Sequence, residues 1–130
     1  MKRHIVIIVI AALAIYIFSS FLNRQDVTVI DAHYDGHTAQ IIVDRLPFSE
    51  SAKIDWWLSN QGKIRSKYRI PSGNKGPFLI AVFAFGEGYQ EEGKEDRLCF
   101  NDIKPPRNCI DKNILMTIWR TRDGGVKYEF

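Results

Sequence analysis

The chain has 130 residues, 45% of them hydrophobic and 25% charged, with a formal net charge of +3. That length holds one domain with a modest core, and the apolar fraction excludes a disordered chain. The slight positive charge gives no electrostatic footprint for nucleic acid.

Residues Ile5 to Leu22 form the first element: 18 residues without a charge, a Gly or a Pro. As a helix this run is roughly 27 Å long, close to the hydrocarbon thickness of a thin bilayer. Tyr16 and Phe21 stand toward its far end, where aromatic rings favour the lipid interface. Lys2, Arg3 and His4 precede the run, whereas Arg24 and Asp26 follow it and nearly cancel. The positive-inside bias then predicts residues 1–4 in the cytoplasm, residues 5–22 in contact with membrane lipid as an uncleaved signal anchor, and residues 23–130 across the membrane. Removing Lys2 and Arg3 from the 18 basic residues leaves 16 against 15 acidic ones, so the exported part is nearly neutral. A cleaved signal peptide is the rival reading, with Ala12-Leu13-Ala14 as its small-x-small site, but large residues Ile15 to Phe18 continue the run beyond it. A buried core helix is the remaining alternative. No Cys follows the run, which speaks against a lipoprotein anchor.

Val27–Tyr34 is rich in β-branched residues, Asp35-Gly36 is a turn signal, and Thr38–Asp44 reads as a second strand, so the segment predicts a β-hairpin ended by Pro47. Ser49 can cap a helix with Glu50 in its first turn. Ile54, Trp57, Leu58, Gln61, Ile64, Arg65 and Tyr68 keep the three-and-four spacing of one helical face, and Gly62 is expected to weaken or split the helix. The helix should stop before Ile70-Pro71. Pro71 to Pro77 is turn chemistry, and Phe78–Phe85 is a continuous apolar run that predicts a central buried strand. Gly86–Glu95 reads as a polar loop, Arg97–Asn101 as a short strand, Ile114–Arg122 as another, and Val126–Phe130 as a closing strand after an Asp-Gly-Gly turn. The order predicts an α+β fold: one transmembrane helix, then a small, mostly antiparallel sheet with one packed helix.

Cys99 and Cys109 are the only cysteines. In an oxidising compartment such a pair reads as a disulfide. Free thiols would fit a reducing one, and zinc would need four ligands, which the positions of the three histidines do not supply. Asp31, His33, Asp35 and His37 form a polar group that reads as a hairpin tip facing water; metal binding and acid/base chemistry are its sharper alternatives. Glu87, Glu91, Glu92, Glu95 and Asp96 crowd one loop without calcium-loop spacing, with Tyr89 as a candidate contact anchor. Trp56 and Trp57 are about 100° apart on a helix, so Trp57 fits the core stripe and Trp56 its margin. Candidate partner-binding residues are therefore Trp56, Tyr89, Glu91 and Glu92. No nucleophile elbow, phosphate loop or dinucleotide fingerprint is present, so no catalytic residue, cofactor or small-molecule substrate is indicated.

Ile54-Asp55-Trp56-Trp57-Leu58, Lys67-Tyr68-Arg69-Ile70-Pro71, Gly86-Glu87-Gly88-Tyr89, Asp96-Arg97-Leu98-Cys99-Phe100, Asn108-Cys109-Ile110-Asp111-Lys112-Asn113 and Leu115-Met116 together resemble a family of enterobacterial putative membrane proteins of unknown function. The resemblance extends over nearly the whole chain, because that family also opens with one hydrophobic segment. It implies a Gram-negative host, with the exported side in the periplasm, and it carries no catalytic residue. The leading expectation is a single-pass inner-membrane protein presenting a small periplasmic module to a protein partner, an immunity-type protein being one version. An envelope hydrolase using Asp31, His33, Asp35 and His37, or an accessory subunit of a membrane complex, is the alternative.

Overall fold

A computed structural model describes residues 1–23 and 26–130; Arg24, one of the charges read beyond the apolar run, lies outside the described residues. The chain runs α1 (Lys2–Asn23), β1 (Val29–Tyr34), β2 (Thr38–Val43), α2 (Glu50–Tyr68), β3 (Leu79–Ala84), β4 (Arg97–Cys99), β5 (Cys109–Asp111), β6 (Ile114–Arg120) and β7 (Val126–Glu129). This is an α+β fold.

The Lys2–Leu22 part of α1 is long and apolar enough to cross a membrane, and none of it is buried against the rest of the chain. A core helix of a small globule would bury one face. The core-helix alternative for this segment therefore fails.

Five strands form one mixed sheet in the order β1-β2-β3-β6-β7. Only β2 and β3 pair in parallel, because α2 carries the chain back between them; the other neighbours are antiparallel. The apolar run thus supplies the middle strand: Ile80, Ala81, Val82 and Phe83 are all buried. At the β1–β2 turn, both Thr38 N–H and His37 N–H donate to Asp35 Oδ1, and Gly36 takes φ +96°.

Helix α2 starts as its cap predicts, with Ser49 Oγ accepting from Ala52 N–H at 3.2 Å. It stays continuous through Gly62, so the helix is not split there. Gly62 is exposed, and the packing of Trp57 and Ile64 on either side holds the helix against the sheet. The helix ends where Arg69 turns left-handed and Ile70 N–H bonds back to Arg65 O at 3.0 Å. That six-to-one closure lets Ile70 bury beside the helix.

Strand alternation divides the core between the two faces of the sheet. Ala39, Ile41, Val43, Ile80, Val82, Met116 and Ile118 meet Trp57, Ile64 and Ile70 on the helix side. Ile42, Ala81 and Phe83 meet Phe100 and Ile110 on the other side. This second layer is the β4–β5 ribbon with its connecting loops. The sequence pattern did not predict β5, whose three residues are too few to show a period.

Candidate functional site

The second layer meets β1 at a buried polar cluster. A bulge in β1 sets it up: Val29 pairs with Val43, yet Asp31 pairs with Ile42, so Ile30 is the extra residue. Beyond the bulge, Asp31 and His33 share the face of Ile42, toward the ribbon rather than toward α2.

His33 is only 6% exposed. Its ring stacks on Phe100 with centroids 3.8 Å apart and planes 15° from parallel. Its Nδ1 is 2.7 Å from Asp102 Oδ2, and its Nε2 is 3.0 Å from Tyr89 Oη. Tyr89 Oη in turn donates to Asp31 Oδ2 at 2.6 Å. Both ring nitrogens of His33 are thus engaged within the chain, Nδ1 with the Asp102 carboxylate and Nε2 with the Tyr89 hydroxyl. Burial, followed by the hydrogen bond to Asp31, pushes the Tyr89 phenol well above its ordinary pKa.

The reading of Asp31, His33, Asp35 and His37 as one water-facing tip needs correction. Asp35 and His37 are exposed at the turn, but His33 is buried and Asp31 half-buried in the network. The physical reason is a cover from far along the chain: Phe100 and Asp102 close over this face of β1. Among the described residues, no group of three or more His, Cys, Asp or Glu side chains is placed to hold a metal ion.

Cys99 and Cys109 form a disulfide and face one another across β4 and β5. The bond closes the segment that carries Phe100 and Asp102. The acidic loop before it is also tied down. Gln90 and Cys109 exchange backbone hydrogen bonds at 2.7 and 3.0 Å. Arg97 Nε reaches Asp111 at 2.9 Å, while its Nη1 donates to Glu91 O at 2.9 Å. Lys112 pairs with Asp96 at 2.8 Å.

A cleft of about 290 Å³ opens between the β1–β2 turn and this segment, with His33, Tyr34, Asp35, Gln40, Phe100 and Asp102 among its walls. Its lining combines the rings of His33, Tyr34 and Phe100 with the carboxylates of Asp35 and Asp102. The four candidate contact residues do not form one patch. Glu91 and Glu92 are exposed on the ribbon side, and Tyr89 is half-buried between Phe85 and Phe100 there. Trp56 instead packs at the margin of the helix-side core, across the sheet from them. Sequence reasoning missed Phe100 and Asp102 as site residues. They lie in a turn-rich stretch with no periodicity, and only the cysteine spacing marks that stretch as constrained.

A family model described as "Enterobacterial putative membrane protein (DUF943)" matches residues 1–130. Nothing among curated proteins or solved structures matches the chain.

Proposed function

The chain belongs to that enterobacterial membrane protein family, and we propose that it is a single-pass inner-membrane protein whose C-terminal part faces the periplasm and binds another protein. Lys2 and Arg3, just before the apolar run of α1, favour a cytoplasmic N-terminus, and a disulfide persists in an oxidising compartment.

The observation that carries the binding role is the preformed cleft. Its outer wall is closed by the disulfide and pinned to β1 through His33, so a partner meets a surface already ordered, and less free energy goes to ordering it. The volume, about 290 Å³, is at the lower limit for small-molecule sites, and the opening is wide. One protruding side chain fits it better than an enclosed metabolite does. The exposed Asp35 and Asp102 of its lining, with Glu91 and Glu92 on the loop after Tyr89, select a basic side chain from the partner.

Site-specific photo-crosslinking in living cells tests this reading. A photoreactive residue at Asn101, in the intact membrane-borne chain, should yield a defined adduct that is lost in the Asp102→Lys variant. Absence of any adduct from Asn101, or an adduct indifferent to Asp102→Lys, overturns the cleft as the binding surface. A periplasm-dependent reporter fused after Phe130 and found inactive overturns the orientation.

A further inference from the structure

Among the described residues that follow α1, the exposed large apolar side chains are Phe48, Leu58, Phe78, Ile114, Val126 and Phe130. Three of them gather at one end of the sheet. β1 starts at that end with Val29, and antiparallel β2 returns to it at Val43. Phe48 follows in the β2–α2 loop. β3 runs parallel to β2 and ends there at Ala84; Asn113 O accepts from Ala84 N–H, which brings Ile114 to the same place. β7 descends alongside β6 toward that end, and Phe130 comes after it. Lys53, in the first turns of α2, sits over the Phe130 ring at 5.5 Å, so the helix start and the end of β7 adjoin.

This end is tied to α1 by a short path. From Asn23 to Val29 the chain takes six steps. Fully stretched, these reach roughly 20 Å. The opposite end, with the Asp35–His37 turn, is a further ~17 Å along β1.

Phe48, Ile114 and Phe130 are 67%, 52% and 50% exposed. Phe48 precedes the Ser49 cap, where an apolar residue ordinarily staples onto the fourth residue of the helix; here that residue is Lys53, and no staple forms. Two acids at this end, Asp44 and Glu129, are matched within the chain. Asp44 accepts from Thr28 N–H and Arg45 N–H, and Glu129 pairs with Lys127 at 3.1 Å. A tip that exposes three large apolar side chains suits the lipid headgroup boundary.

We propose that Phe48, Ile114 and Phe130 form a footing that rests on the lipid surface crossed by α1, so that the module stands upright with its cleft away from the membrane. The footing rests on the reading of α1 as a membrane span. At the opposite end, Phe78 leans on the Trp119 ring at 6.4 Å and Val126 stays free of lipid.

Nitroxide labels read the arrangement in the full-length chain, in nanodiscs of phosphatidylcholine and phosphatidylglycerol, with the native disulfide left oxidised. Single cysteines enter as Ile10→Cys, Phe48→Cys, Ile114→Cys and Val126→Cys, all exposed positions. Oxygen should relax the labels at 10, 48 and 114 several-fold more effectively than a water-soluble nickel chelate, and the order should reverse at 126. A label at 48 that behaves like the one at 126, whether both are wet or both in lipid, overturns the footing. A wet label at 10 overturns the span itself, and a lipidic label at 10 with a wet one at 48 overturns the footing alone.

Discussion

His33 and Asp102 are 69 residues apart in the chain, yet Nδ1 of one lies 2.7 Å from a carboxylate oxygen of the other. This contact joins the main sheet to the disulfide-closed segment. Asp102 is 64% exposed while His33 is 6% exposed, so the histidine is the buried half of the tie.

That asymmetry sets unequal costs for removing the two partners. His33→Phe keeps a ring against Phe100 but leaves Tyr89 and Asp102 without their shared hydrogen-bond partner. The expected loss is about 2–3 kcal/mol, in the range for breaking a buried hydrogen-bond network. Asp102→Asn should cost less than about 1 kcal/mol, because water already screens that carboxylate. Urea midpoints of the full chain in detergent, followed by tryptophan fluorescence, measure both. Equal costs would mean that burial of His33 adds nothing to the worth of its hydrogen bonds.

Tyr89 gives the network a pH limit. Its folded-state pKa is raised, by burial first and then by the Asp31 hydrogen bond. The folded state therefore holds this proton more tightly than the unfolded chain. The resulting stability is fully present below the unfolded tyrosine value of about 10, and it is lost as pH rises from there toward the raised folded-state value. Stability measured between neutral and strongly alkaline pH should fall with a slope that Tyr89→Phe reduces. At neutral pH the same variant should cost about 1 kcal/mol, the value of one hydrogen bond.

The elements seen in the sequence are those with local causes. The uncharged run of α1, the Asp35-Gly36 turn, the Ser49 cap and the apolar block of β3 each act through residues close together in the chain. The site follows other rules. Whether His33 faces water or protein is decided by a bulge at Ile30 and by a cover supplied about seventy residues later. Strand alternation alone places Asp31, His33, Asp35 and His37 on one face, and the turn at Asp35 then divides the group. Trp56 and Tyr89 both read as aromatic anchors in the sequence, and only the sheet between them shows that no single partner surface holds both.

The disulfide should matter more than its small loop suggests. Joining residues separated by ten positions is worth about 2.5–3 kcal/mol through chain entropy. Here the same loop also carries Phe100 and Asp102, the two groups that cover His33. Reduction should therefore lower stability and loosen the His33 contact together. In a double-mutant cycle, His33→Phe should cost distinctly less in a Cys99→Ser/Cys109→Ser background than in the native one. Strict additivity would show that the ribbon keeps its place without the bond.

Arg69 offers the opposite kind of change, a gain. It is the one non-glycine residue with positive φ among the described residues, at φ 57° and ψ 45°. The helix end needs that conformation, because it lets Ile70 N–H reach Arg65 O and turns Ile70 into the core. A side chain at such a position pays a steric penalty on the order of 1 kcal/mol that glycine does not. Glycine also gives the unfolded chain more freedom, which offsets part of the gain. Arg69→Gly should thus raise stability by about 0.5 kcal/mol, and Arg69→Val, whose branched side chain fits the left-handed region worst, should lower it by more than that. The pair of urea midpoints decides between backbone strain and a side-chain role for Arg69: if the guanidinium were the stabilising group, both variants would lose stability, whereas strain at the helix end requires the two to move in opposite directions.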